Sequence, residues 1–297
     1  MGLQSTYHLL KSILEDPLNK DFKYNALFRF FNWQVTDKLF NKPIIFKFTN
    51  KSKLIAKKNH KSAISNYYFG LYEFNDMAFT LHFLRNSDSF VDIGANIGSY
   101  AVLASAHVGA STIAFEPIPQ TFNSFKKNIL LNKIESKCEI YQMALGAKKT
   151  EVKFTHDSDT TNHVATDNET KTINIQLDTL DEMLANHQVP RLIKIDVEGF
   201  ESEVIAGAKL TLANEQLQAV IIELNGLGSK RYGSQEELVH LSLLQNQFKP
   251  YSYNPVSRTL SLMNTFNNKN TIYIRNLKFV EERLRTAESF IVNKQIF

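Results

Sequence analysis

The chain predicts a doubly wound α/β fold, in which a mostly parallel sheet carries its ligand at the carboxyl ends of the strands. Three observations predict it. Residues 89–100, SFVDIGANIGSY, read as a buried strand, a glycine turn and the opening of a helix. Strand and helix patterns then alternate, with the lengths of βα units, as far as residue 247. Acidic residues, Asp92, Glu116 and Asp196, stand at the carboxyl ends of three predicted strands.

In chain order, HLLKSIL and YNALFRFFNWQVTDKLF predict amphipathic helices, the second with Leu27, Phe28, Phe31 and Val35 at helical spacing. Trp33 and the neighbouring phenylalanines are expected to pack in a core. IIFKFTN and SKLIAK predict short strands. Phe90, Val91 and Ile93 make a core strand over 89–94, followed by helix 98–108, strand 111–116, helix 119–132 and strand 138–144. Pro117 and Pro119 set the turn into helix 119–132. EVKFTH and TINIQL are strand-like excursions around a polar loop at 157–171, and loops of that length are commonly functional. Helix 179–187, strand 191–196, helix 200–213, strand 219–224 and helix 234–247 complete the alternation. Strand-like segments at 258–264 and 270–276 and a charged terminal helix close the chain.

A chain of 297 residues, 43% hydrophobic and 22% charged, has the make-up of an ordinary globular protein. No run of about 18 uncharged apolar residues predicts a membrane span. The opening MGLQSTYHLLKSILEDP lacks the pattern of a secretory signal, so a cytoplasmic location is expected. A single cysteine, Cys138, excludes an internal disulfide and a cysteine-built zinc site. The net charge of +4 is uneven: residues 1–70 hold twelve Lys/Arg against four Asp/Glu, concentrated in KSKLIAKKNHK. A solvated surface accounts for such a region. The sharper expectation is a basic face for an anionic partner, a phosphate-linked substrate, a membrane surface or nucleic acid.

The glycine turn departs from the dinucleotide fingerprint, which needs a second glycine for the approach of a pyrophosphate. Asn96 takes that place, giving Gly94-x-Asn96-x-Gly98. Asp92 before the turn disfavours a pyrophosphate and suits a ligand with positive charge, an ammonium or a sulfonium. Glu116 ends the next strand near the ~20-residue spacing of an acid that accepts ribose hydroxyls. Ribose and a cationic tail without phosphates describe S-adenosylmethionine better than NAD.

Several segments together resemble the FkbM family of class I S-adenosylmethionine-dependent methyltransferases: GLYEFND (70–76), FVDIGANIGSY (90–100), FEPIPQTFNSFKKNILLN (115–132), QMALG (142–146), LDTLDE (177–182), LIKIDVEGFESEVIAGA (192–208) and IIELN (221–225). The resemblance covers roughly residues 70–225. It implies a Rossmann-like, seven-stranded class I methyltransferase sheet over 70–276, with a basic N-terminal extension of helices and short strands over 1–69 and a C-terminal helix over 277–297. It puts Asp92, Gly94, Ala95, Asn96 and Gly98 around the methionine moiety of the cofactor, Glu116 and Pro117 at the ribose, and Met143 and Ala144 beside the adenine. Capping of the following helices is the plainer reading of Asp92 and Glu116, and core packing that of Met143.

Methyl transfer to an alcohol needs the nucleophile, carbon and leaving sulfur in line, and a base or a metal for the hydroxyl proton. Asp196 at the end of strand 191–196 is expected to abut the cofactor and to take that proton. Glu198 in the turn is expected to bind the acceptor or to hold Asp196. Both also stand where they would tune the helix dipole. Lys194 is expected to be structural, paired to a carboxylate. Asp196 with Glu223 or Asn225 would make an all-oxygen site for magnesium, so a divalent metal is the alternative to a base alone. His163 is the candidate for a second base descending from the loop. Asp196-Val197-Glu198-Gly199 is not the Asn/Asp-Pro-Pro-aromatic motif of nucleic-acid amino-methylation, and two carboxylates would repel a polyanion. Nucleic acid is thus disfavoured as acceptor. The family's association with O-methylation implies a hydroxyl of a sugar, glycan or glycosylated metabolite, with acceptor contacts from the 157–171 loop and from residues before 90. A non-catalytic module with a vestigial cleft and an NAD-dependent oxidoreductase are the competing readings. The intact set Asp92, Gly94, Glu116 and Asp196 weighs against the first, and Asn96 with Asp92 against the second. The sequence leaves oligomeric state open.

Overall fold

The structure, a computed structural model, describes all residues except 1–2, 157–161, 167–168 and 234–235. The chain begins with α1 (Leu3–Glu15) and α2 (Lys23–Val35), the latter continued by a π turn at Thr36–Phe40 that ends where Asn41 turns left-handed. The hairpin β1 (Ile44–Lys47) and β2 (Lys53–Ala56) and the helices α3 (Lys61–Phe69) and α4 (Phe74–Phe83) follow. The buried side of α2 is Ala26, Phe30 and Trp33, whereas Phe28, Phe31 and Val35 of the predicted face are exposed. Apolar residues occupy both sides of this helix, so periodicity alone does not choose between them. The core takes the side whose large rings meet those of α3, with Phe30 against Tyr68 and Trp33 against Tyr67, ring centroids 5.8 and 6.3 Å apart. The hairpin is anchored by its backbone: Ile55 N–H donates to Asn128 Oδ1 at 3.0 Å and Lys53 N–H to Asn132 Oδ1 at 2.8 Å.

The α/β part runs β3 (Ser89–Ile93), α5 (Ser99–Val102, passing into a π turn at Leu103–Val108), β4 (Ser111–Phe115), α6 (Pro119–Asn132), β5 (Cys138–Tyr141), β6 (Ala144–Leu145), β7 (Thr150–Thr155), β8 (Thr172–Asp178), α7 (Leu180–Met183) and β9 (Leu192–Ile195). It continues with α8 (Glu201–Ala206), α9 (Lys209–Ala213), β10 (Ala219–Glu223), α10 (Leu227–Tyr232), α11 (Glu236–Gln245), β11 (Lys249–Asn254), β12 (Thr259–Leu262), β13 (Asn270–Ile274), α12 (Leu277–Arg285) and the short hairpin β14 (Ile291–Val292) and β15 (Gln295–Ile296). The main sheet has the order β12-β11-β13-β10-β9-β3-β4-β5. The run from β10 to β5 is parallel, and β13, β11 and β12 join antiparallel. Its central parallel strands β3, β9 and β10 are rich in β-branched residues and buried on both faces, as a sheet covered by helices on each side requires.

The sheet thus has eight strands where seven were expected. The added strand is β11, KPYSYN, whose Pro250 and polar alternation hide it in the sequence, and the mostly exposed β12 pairs with it alone at the edge. EVKFTH and TINIQL form β7 and β8 of a separate three-stranded sheet ordered β6-β8-β7. The expected helix 200–213 is broken into α8 and α9 at Gly207, where a Cβ would come within 2.0 Å of the Gly146 carbonyl oxygen. The terminal helix stops at Arg285 instead of running to 297, because Phe290 and Phe297 are drawn inward, Phe290 onto His82 (4.9 Å) and Phe297 onto Phe74 (4.9 Å). Among the described residues no helix is long and apolar enough to cross a membrane.

The arrangement matters at one place. From β3 the chain moves outward through β4 to β5, then returns to the other side of β3 as β9. The carboxyl ends of β3 and β9 are therefore the point where the winding reverses, which is where an open α/β sheet leaves a crevice for a ligand.

Candidate active site

A cavity of about 430 Å³ occupies that crevice, a size that suits a small molecule. Asp92 and the turn Gly94–Ala95–Asn96 line it from β3, Glu116 and Pro117 from β4, Met143 and Ala144 from the segment after β5, and Lys194, Asp196 and Glu198 from the end of β9. Nine of the ten residues predicted to hold the cofactor line it, the exception being Gly98. Gly98 has φ +82°, and a Cβ there would fall 2.0 Å from the ring of Phe125, so its glycine serves the approach of the turn to α6. Gly94, φ +81°, is needed because a Cβ would fall 1.8 Å from the Asp196 carbonyl oxygen, and without one the ends of β3 and β9 close together.

The turn is tied to Glu116. Asn96, itself left-handed at φ +52°, donates its N–H to Glu116 Oε2 at 2.9 Å, and Ile118 N–H donates to Oε1 at 2.9 Å. Each carboxylate oxygen retains a lone pair for a ligand hydroxyl. Asn96 Oδ1 accepts from Ser62 Oγ at 2.8 Å, which links the turn to α3. Asp92 Oδ2 accepts the Ala101 N–H at 3.2 Å, inside the first turn of α5. Burial pushes Asp92 up to about 7, against the pull of Lys194, and Glu116 up to about 8, against its two backbone hydrogen bonds.

These shifts carry a sign. A carboxyl group whose folded pKa is raised binds its proton more tightly in the folded protein, so its contribution to stability is complete below the ordinary carboxylate range and lost as pH rises through about 7 and 8 for these two groups. The ligand-free protein is expected to melt at a lower temperature near pH 9 than near pH 6. A Glu116→Gln variant should lose part of that difference in a thermal scan, and a slope unchanged in the variant would show that Glu116 does not contribute to it.

Beside the turn, carboxylates surround one ammonium. Lys194, expected to be structural, is buried yet lines the cavity and donates to Asp196 Oδ2 at 2.9 Å. Its Nζ lies 5.0 Å from the centre of the Tyr100 ring. Asp196, Glu73 and Asp92 overcome the cost of its burial and hold its pKa above the usual lysine value. Tyr100 OH donates to Glu73 Oε2 at 2.8 Å, and Asn270 Nδ2 donates to Glu73 Oε1 at 2.8 Å. Burial, followed by the charge of Asp196, pushes Glu223 well above the carboxylate range, and a hydrogen bond to Asp196 adds to this. Glu198 is raised to about 7 by burial and Asp196, with Arg231 opposing at 3.8 Å. Glu198 is left-handed, φ +55°, and the turn that carries it is held by Glu201, whose Oε1 accepts the N–H groups of Gly199 (3.1 Å) and Val197 (3.3 Å).

Two expected residues stand elsewhere. His163 does not line the cavity. Its loop returns antiparallel along β7, with Thr155 N–H bonded to the His163 carbonyl at 3.0 Å, and this pairing sets the imidazole against Glu169 at 3.0 Å while its neighbour Asn162 reaches the cavity wall. Residues 157–161 and 167–168 of that loop lie outside the described residues. Asn225 does not line the cavity either. Its Oδ1 accepts the Leu227 N–H at 3.0 Å and starts α10. The oxygens of Asp196, Glu198 and Glu223 lie within 4.8 Å of one another, so Glu198 joins the two carboxylates that the sequence offered to a metal. Glu73, Tyr100 and Asn270 had no role from the sequence. Glu73 lies in the GLYEFND segment that carries the resemblance, and that was its only signal.

A doubly wound sheet with an acid-lined crevice at its switch point defines a nucleoside-binding α/β protein, and Asp92 before the turn with Asn96 in place of a second glycine sets it apart from the dinucleotide binders. Within that class, the methyltransferase FkbM domain matches residues 92–250, and the chain belongs to that family. It is 28% identical over 146 residues to a hexuronic acid methyltransferase of Haloferax volcanii, a match covering 48% of this chain and 57% of that protein. It is 30% identical over 146 residues to a protein called methyltransferase 1 of Beauveria bassiana, covering 40% of this chain and 58% of that one. The chain thus spans somewhat over half the length of these curated relatives. Among solved structures, a precorrin-6y C5,15-methyltransferase of Geobacter metallireducens is 14% identical, with a TM-score of 0.39 over 68% of this chain and 86% of the other.

Proposed function

We propose that this protein is an S-adenosylmethionine-dependent O-methyltransferase whose acceptor is a hydroxyl of a sugar or glycoconjugate, with Asp196 as the base. The observation that carries the reading is the juxtaposition, in one cavity, of two buried strand-end carboxylates and a more exposed third, Asp196, anchored by a lysine. The donor set fits the cofactor. Glu116 keeps lone pairs for ribose hydroxyls, Asp92 offers a carboxylate to a cationic tail, and Met143 and Ala144 line the wall beyond β5. When bound, the cofactor supplies an electrophilic methyl carbon with a neutral thioether as leaving group.

The chain's part is to position and to move a proton. Lys194 holds the Asp196 carboxylate through Oδ2, and that carboxylate takes the acceptor's hydroxyl proton as the C–O bond forms. Glu223 and Glu198, with pKa values raised by burial and by Asp196, provide neutral or hydrogen-bonding carboxyl groups for neighbouring hydroxyls of a polyol acceptor. A sugar presents such neighbouring hydroxyls, and the name of the Haloferax relative is consistent with this choice. The test is incubation with methyl-labelled cofactor and fractionated glycans, nucleotide sugars and glycolipids, followed by mass spectrometry. Label is expected on a sugar oxygen, and label confined to a nitrogen or to a non-sugar acceptor would refute the assignment.

A metal-assisted reaction is the second reading, favoured by the trio Asp196, Glu198 and Glu223. Lys194 speaks against it, since its ammonium already sits 2.9 Å from Asp196 and a divalent ion would be repelled by it. Turnover is expected to survive exhaustive EDTA treatment and dialysis. Loss of activity on chelation, restored by magnesium, would establish the metal instead.

A further inference from the structure

Helix α2 is apolar on two opposite sides, and among the described residues only one of them has a partner. Tyr24, Phe28, Phe31 and Val35 recur at steps of four, three and four residues, which is one face of a helix. They are exposed by 90, 68, 57 and 48%. At 3.6 residues per turn this face lies about half a turn from the buried Ala26, Phe30 and Trp33. The π turn extends it, with Leu39 and Phe40 exposed by 72 and 59%. From Tyr24 to Val35 the stripe is ~17 Å long at the rise of an α-helix. A helix apolar all round is ordinarily buried on all sides, and a continuous exposed patch of large side chains marks an interaction surface.

Charge selects the partner. Residues 20–47 hold six Lys/Arg against two Asp/Glu. Lys20 and Lys23 at the start of the stripe and Lys42 just past its end are exposed, whereas Arg29 turns inward to Asn19 and the Tyr68 carbonyl. Aromatic and aliphatic residues along one face, rimmed by long cations, make the pattern of a helix lying in the interfacial plane of a bilayer. A two-fold pairing of this face with a second copy would set lysines against lysines.

We propose that α2 docks the protein on an anionic bilayer surface. Tyr24, Phe28, Phe31, Val35 and Leu39 enter the boundary between headgroups and acyl chains, and the flanking lysines meet anionic headgroups. The inner side of α2 rests on α3, and α3 contributes Ser62, Ser65 and Asn66 to the cavity wall, so a single helix layer separates the docked face from the cleft. The docking stands on this face alone and does not depend on the methyl-transfer reading.

The test is flotation of the full chain with vesicles of phosphatidylcholine alone or mixed with phosphatidylglycerol. The wild type is expected to bind the anionic vesicles at least about tenfold more tightly than the neutral ones, and more weakly as salt rises. Phe28→Glu with Phe31→Glu should lose at least about tenfold in vesicle affinity, at an unchanged melting temperature because both side chains are exposed. Val35→Glu provides a second, single-site variant with the same expected direction. Lys20→Glu with Lys23→Glu should abolish the preference for anionic lipid. Wild-type protein that fails to float with anionic vesicles, or floats equally well after the phenylalanine substitutions, overturns the proposal. So does a wild-type dimer in light scattering that those substitutions make monomeric, since the face would then belong to a second copy.

Discussion

Asp196→Asn is expected to lower kcat by ~10²–10⁴-fold, the usual contribution of a positioned general base, while the affinity for S-adenosylmethionine stays within a few-fold of wild type. The substitution isolates one property. Asparagine has the shape of aspartate and its carbonyl oxygen can still accept from Lys194 Nζ, now 2.9 Å from Asp196 Oδ2, but the amide cannot take a proton. Single-turnover rates with saturating acceptor, beside calorimetric titration of the cofactor, separate the two effects. A purely positioning role for Asp196 would instead raise the KM for acceptor at near-normal kcat. A variant that turns over at the wild-type rate would remove Asp196 from the reaction.

Glu116→Ala is expected to weaken cofactor binding by roughly 10- to 100-fold, since a hydrogen bond from a neutral hydroxyl to a carboxylate contributes about 1.5–3 kcal/mol. Because Glu116 also receives the N–H groups of Asn96 and Ile118, the alanine variant loosens the glycine turn as well. Glu116→Gln is the milder variant: its one carbonyl oxygen keeps one of the two backbone N–H groups, while its NH2 faces the other. The glutamine variant should melt between the alanine variant and the wild type and bind cofactor several-fold more weakly than the wild type. Unchanged calorimetric affinity in both variants would overturn the placement of the ribose at Glu116.

Much of the site was legible in the sequence because its signals are local. A strand of buried β-branched residues, a glycine that must adopt positive φ and a carboxylate at the strand's end occupy a few consecutive positions, and β4 and β9 likewise lead into the carboxylates Glu116 and Asp196. The glycines also serve contacts that the sequence does not show: Gly94 makes room for the Asp196 backbone and Gly98 for the Phe125 ring. His163 and Asn225 had the right chemistry and proximity in sequence, but strand pairing turns the first toward Glu169 and a helix start engages the second.

The sequence by itself determined the alternating fold, the switch-point crevice and the three strand-end acids, because backbone period, turn chemistry and residue type are set within short windows. Only the tertiary structure decided what gathers round those acids. Glu73 and Asn270 lie 197 positions apart and share a hydrogen bond, and Lys194 becomes a buried cation among the cleft's carboxylates because β9 is inserted beside β3. The buried side of α2 was likewise open in the sequence, since both sides are apolar. Burial is a competition among surfaces, and the rings of Tyr67 and Tyr68 won it for Phe30 and Trp33, leaving Phe28 and Phe31 in the solvent. Charge pairing, close approach and burial are properties of residues brought together across the whole chain, and no short window contains them.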